Sequence, residues 1–144
     1  MARPQTIQIF LPDGNPRGVR IADITNRTVK AILFPRNQFD YVLTRNELSN
    51  VGFYFLFGDE LSSPGIYFLF GRDDENDKPL VYIGEAEECN ERLKNHQRNK
   101  DFWNYAIVII SKINAFIKTH VKFLEHTAIK QAIEINRWKL DNSS

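Results

Sequence analysis

The stretch Tyr-Ala-Ile-Val-Ile-Ile at residues 105–110 constrains this chain more than any other. Side chains on a strand alternate between its two faces, so a run that is nearly all apolar has no wet face. It therefore predicts a strand buried on both sides, with further structure above and below it. The sequence supplies candidates for that cover. Downstream, Asn114 is a fair N-cap for a long helix running to about Trp138. Phe116, Val121, Leu124, Ala128, Ile129, Ala132 and Ile135 form an apolar stripe at helical spacing within it. Upstream, residues 87–97 read as a helix, with Glu87, Glu88 and Glu91 near its positive N-terminal end. Strands are predicted at 53–57, 66–70 and 80–83, and three more at 6–11, 19–24 and 28–34. Asp13-Gly14-Asn15-Pro16 is a turn, Pro35 stops the third strand, and residues 37–43 read as a short helix.

Length and composition set outer bounds. A chain of 144 residues makes one domain, or one domain with a small appendage. The single cysteine, Cys89, excludes an internal disulfide and a cysteine zinc site, and suggests a reducing, cytoplasmic home. The apolar runs at 53–57 and 105–110 are too short to span a bilayer, so no membrane partner is expected. No long apolar stretch follows the first residues, so they do not read as a secretion signal.

Residues 47–59 and 60–72 are a tandem duplication in which nine of thirteen positions are identical. Two copies do not make a solenoid, and a local duplication with a possible extra edge strand is the economical reading. It leaves two similar triplets, Gly52-Phe53-Tyr54 and Gly65-Ile66-Tyr67. Tyr67 precedes Tyr82 by fifteen residues, an interval one hairpin can span, whereas Tyr54 precedes it by twenty-eight. Tyr67 is therefore the expected working copy. The polar run at 72–78 reads as the hairpin tip, since its spacing and lack of glycine do not suit a calcium loop.

Charge is strongly segregated although the net charge is only +1. Residues 1–46 carry seven Lys/Arg against three Asp/Glu, residues 47–91 two against eleven, and residues 92–139 ten against three. Between 92 and 122, Arg92, Lys94, Arg98, Lys100, Lys112, Lys118 and Lys122 face Asp101 and nothing else basic-neutralising before Glu125. Clustered positive charge of this kind suits a polyphosphate partner or a solvated basic face. His120 and His126 are six apart and have no zinc spacing with His96. Trp103 and Trp138 read as packing residues, with Phe102-Trp103 beside Lys100 as an alternative stacking surface.

Gly65-Ile66-Tyr67 is followed by Tyr82-Ile83-Gly84, then Arg92, His96 one helical turn later, and Glu125 in the long helix. As an ordered set over roughly residues 65–136 these resemble the GIY-YIG nuclease superfamily. The resemblance implies an α/β (α+β) fold with a small three-stranded sheet flanked by helices over residues 47–144, and residues 1–46 as a β-rich N-terminal appendage. It implies a metal-dependent endonuclease that hydrolyses nucleic-acid phosphodiesters, DNA first, of repair, restriction or mobile-element type. The catalytic set it points to is Tyr67, Tyr82, Arg92, His96 and Glu125, with Tyr54 as the alternative first tyrosine. Glu125 would be the ligand of magnesium or manganese, since a carboxylate is the hard oxygen donor these ions prefer. Arg92 would neutralise the reacting phosphate. The tyrosines would position or deprotonate water, their pKa lowered by a metal or Arg92, with His96 sharing the proton transfers. Glu85 is a departure where some members carry lysine, and becomes a second polar ligand at most. Asn136, with Asn142 behind it, is the candidate for a late asparagine. The alternative is a catalytically idle nucleic-acid-binding module, which needs the basic residues but not Glu125.

Overall fold

The apolar run lies inside a nine-residue strand, Trp103–Ser111, and both edges of that strand are paired. The structure is a computed structural model that describes residues 3–24, 29–39, 64–111 and 118–142. In chain order the strands are β1 (Ile7–Phe10), β2 (Arg20–Ile24), β3 (Val29–Pro35), β4 (Gly65–Arg72), β5 (Pro79–Ala86), β6 (Trp103–Ser111) and β7 (Lys139–Leu140). The helices are α1 (Cys89–Asn99) and α2 (Lys118–Ile135), with a 3-10 turn at Arg36–Gln38. The strands form one sheet in the order β1-β2-β3-β6-β4-β5-β7. Every neighbouring pair is antiparallel except β5 with β7.

This corrects the expected fold class. A small three-stranded sheet flanked by helices does not form; β4, β5 and β6 are interior strands of a seven-stranded mixed sheet. The reason lies in β6. It is apolar on both faces and long enough to take β4 on one edge and all of β3, from Val29↔Ser111 to Pro35↔Tyr105, on the other. Strands β1 to β3 thus continue the central sheet. On the far side, β7 adds to β5 at Leu80 and Val81 only. The second strand suggested by the duplication, at 53–57, and Asn114 lie outside the described residues.

Alternation sorts the side chains onto two faces. One face carries Tyr67, Leu69, Ala106, Val108 and Ile110, joined by Ile32 and Phe34 of β3 and closed by Cys89 and Leu93 of α1. The other carries Ile66, Val81 and Ile83, beneath Leu124, Ala128, Ile129 and Ala132 of α2. Each fully buried Leu, Ile or Phe contributes about 1.5–3 kcal/mol, so the two layers are what hold α1 and α2 to the sheet. The α2 stripe ends earlier than its spacing predicts. Asn136 takes φ 55, the chain turns there, and Ile135 is left exposed.

Candidate active site

Gly84 makes the site possible. It sits opposite Tyr67 in the β4–β5 register, and a Cβ placed on it would collide with Cζ and the hydroxyl of Tyr67. The Tyr67 ring therefore lies across the β5 backbone in the space a side chain at 84 would fill. Tyr82, two residues earlier on the same face, brings its ring to 6.1 Å from that of Tyr67. From α1, the His96 ring lies 5.4 Å from Tyr67 and 4.8 Å from Tyr82. Tyr67 Oη and His96 Nε2 are 2.8 Å apart. Arg92, one turn before His96, hydrogen-bonds both phenols. A guanidinium can only donate, so the Tyr67 oxygen accepts from Arg92 and its own proton goes to His96 Nε2; the histidine tautomer is assigned on that ground.

The electrostatics differ from the expectation that a phenol would be acidified. The Tyr67 hydroxyl is held well above the usual tyrosine range, by burial first and by Tyr82, and the Arg92 bond offsets this only in part. Tyr67 has 0% exposure and meets only the groups it packs on and bonds, whereas Tyr82 keeps partial exposure. His96 moves the opposite way. Burial, then Arg92 and Lys100, lower it to about 4, against a smaller raising effect from Asp141. His96 is thus neutral near pH 7 and available as a proton acceptor at Nε2.

A stability effect follows. As pH falls from about 6.5 to about 4, an unfolded chain takes up a proton at His96 that the folded chain does not, so folding weakens through that window. The variant His96→Gln cannot titrate and should show a shallower loss of urea midpoint on acidification. An acid limb as steep as that of the parent protein would contradict the depressed value.

The second half of the site comes from the other face of the sheet and meets the first around the edge of β5. The edge-facing backbone groups of β5 belong to alternate residues, and each has a different partner. The Asp141 N–H donates to the Val81 carbonyl at 2.8 Å. The Asn142 side chain takes both groups of Ile83, accepting its N–H at 2.9 Å and donating to its carbonyl at 2.6 Å. At Glu85 the strand partner has run out, and the Glu125 carboxylate of α2 accepts the N–H. Glu125 is thereby fixed beside the notch at Gly84, near enough to Arg92 to feel its charge. Its carboxyl is raised by partial burial and then by Glu85, and lowered less by Lys122, the Glu85 N–H and Arg92. Lys122 Nζ pairs with Glu85 at 3.2 Å. On the tyrosine side, Lys100 Nζ lies 4.5 Å above the Tyr82 ring and 3.1 Å from Asp141.

Five predicted residues, Tyr67, Tyr82, Arg92, His96 and Glu125, thus meet at one end of β5, with Glu85, Lys100 and Lys122 around them. Lys94 pairs with Glu91 at 3.4 Å, and Arg98 is exposed near the end of α1. Lys118 opens α2, while Tyr54 and Lys112 lie outside the described residues. Asn136 is not part of the cluster: it terminates α2 at the far end of the sheet, its N–H bonded to the Ala132 carbonyl. The asparagine near the site is Asn142, and it acts as a cap on a strand edge. Asp141 escaped notice in the sequence because nothing local marks a residue whose partner, Lys100, is forty-one positions away.

Among the described residues no three His, Cys, Asp or Glu side chains converge as a metal cluster. Glu125 with Glu85 is the hard-oxygen set available. Glu85 raises the Glu125 carboxyl, a repulsion that a divalent cation beside Glu125 would relieve, and magnesium takes few protein ligands, so this carboxylate fits an ion that draws its remaining ligands from phosphate and water. Comparison with known protein families, with curated proteins and with solved structures finds no match to this chain.

Proposed function

We propose that this chain is a divalent-metal-dependent endonuclease acting on nucleic-acid phosphodiesters, as the resemblance of its residue set to the GIY-YIG superfamily implies. The observation that carries the proposal is the convergence of Tyr67, Tyr82, Arg92 and His96 with Glu125 at the open end of β5, although they start on opposite faces of the sheet. Hydrolysis needs a carboxylate for the cation, a fixed positive charge for the phosphate and a path for a proton. A magnesium or manganese ion held by Glu125 would polarise the phosphate and activate water. Arg92, oriented by two phenols, aims its remaining N–H groups at the phosphate oxygens. Tyr82 positions water at the mouth of the notch. Tyr82 would also relay the attacking water's proton to bulk solvent, its oxygen taking that proton as its own leaves, while Tyr67 and neutral His96, joined at 2.8 Å, hold Tyr82 and Arg92 in place. No helix among the described residues is long and apolar enough to cross a membrane.

The test is cleavage of plasmid, single-stranded DNA and structured RNA, each with and without magnesium or manganese. Metal-dependent product is expected. Binding without product under every condition would instead support the idle binding module. Arg92→Ala should lower turnover by about 10²–10³, the usual loss for a preorganised donor to developing charge. Arg98→Ala, two residues beyond His96, should only weaken binding in a salt-sensitive way. Equal turnover of the two variants at saturating substrate would refute this division of labour.

A further inference from the structure

At the opposite end of β5 lies a groove of about 610 Å³ between the end of α2 and β7. Its charged lining is Lys78, Arg137 and Lys139, and no carboxylate lines it among the described residues. Trp138 forms one wall. The indole is not a core residue: it packs edge-on to Phe70 at 5.2 Å and remains 40% exposed. An aromatic ring held from one side, open on the other and flanked by three cations has the composition of a single-strand stacking platform.

From this geometry we propose that the groove is a second nucleic-acid contact, which takes an unpaired base on Trp138 and the flanking phosphates on Lys78, Arg137 and Lys139. The inference rests on the nuclease reading, since it assigns the groove to the same substrate strand. Lys139 pairs with Leu80, four residues before Gly84 on β5. At about 3.3 Å per residue the groove is ~13 Å from the notch. That is roughly four nucleotides of a stacked strand at ~3.4 Å each. The acidic hairpin tip, with Asp73, Asp74, Glu75 and Asp77, borders the groove beyond Lys78 and repels phosphate. It therefore blocks the path over the tip and leaves the direction along β5 toward Glu125. A substrate with a single-stranded segment beside the scissile bond fits this layout.

The experiment uses a single-stranded oligonucleotide about twenty nucleotides long, in chelator so that nothing is cut. Trp103 is 1% exposed, so quenching of tryptophan emission on titration reports Trp138. Quenching is expected, stronger with the single strand than with its duplex. Trp138→Leu should abolish the quench and weaken binding by about tenfold, within the usual worth of one stacked base. The triple variant Lys78→Ala, Arg137→Ala, Lys139→Ala leaves the indole in place. It should reduce the slope of log affinity against log salt by about 2. Binding by the parent protein that is unquenched, equal for duplex, or unaltered in both groove variants overturns the groove and spares the nuclease reading. Absence of binding by the parent protein to any nucleic acid overturns both.

Discussion

Glu125→Ala should abolish metal-dependent cleavage while leaving nucleic-acid binding largely intact. The carboxylate is the one acid on α2 that reaches the notch, where it lies beside Glu85 and within the field of Arg92. A bound cation supplies several kcal/mol of charge stabilisation in the transition state, so losing its ligand costs at least about a thousandfold in rate. The side chain also accepts the Glu85 N–H, and truncation leaves that edge group to water. Such a bond is worth about 0.5–1.5 kcal/mol, which the fold can absorb. Glu125→Gln separates the two roles. The amide oxygen still accepts the N–H, so the thermal midpoint should recover, but a neutral amide is a poor magnesium ligand and cleavage should not. Turnover of either variant at the parent rate, with metal present, would remove Glu125 from the chemistry.

Much of what places the site was readable locally. The hairpin follows from two apolar runs around a polar tip, and its register sets Tyr67 against Gly84. The spacing of Arg92 and His96 puts them on one face of α1, and both do meet the phenols. What the sequence did not disclose depends on contacts between distant segments. The pairing of β3 with β6 makes one wide sheet of what read as a small sheet and an appendage. Nothing in 29–35 names its partner, because a short apolar run fits any free edge of matching length. The same holds for β7, a two-residue strand too short to carry a pattern. Its consequence is large, since it delivers Asp141 to Lys100 and Asn142 to Ile83. The direction of the phenol shift was also hidden: Arg92 does bond Tyr67, but burial in a closed layer outweighs it.

Gly84→Ala should cost more activity than stability, and it tests the architecture of the site without touching a polar group. The new methyl would fall on Cζ and the hydroxyl of Tyr67. That ring is fully buried between Tyr82 and His96, so it cannot swing aside without breaking its bond to Nε2. Overpacking of this kind costs about 1–3 kcal/mol, seen as a lower urea midpoint with an unchanged slope. Activity suffers further because Arg92 loses one of the two phenols that orient it. A loss of about a hundredfold is expected, of the order of a lost proton-transfer group. Tyr67→Phe should give a similar loss in rate with little strain, since only the hydroxyl is removed. Both changes act on the same oxygen, so their combination should be far from additive in turnover, with the double variant close to the worse single one. Independent, multiplying losses would mean that Gly84 and the Tyr67 hydroxyl serve separate functions, and the notch would then be a packing feature alone.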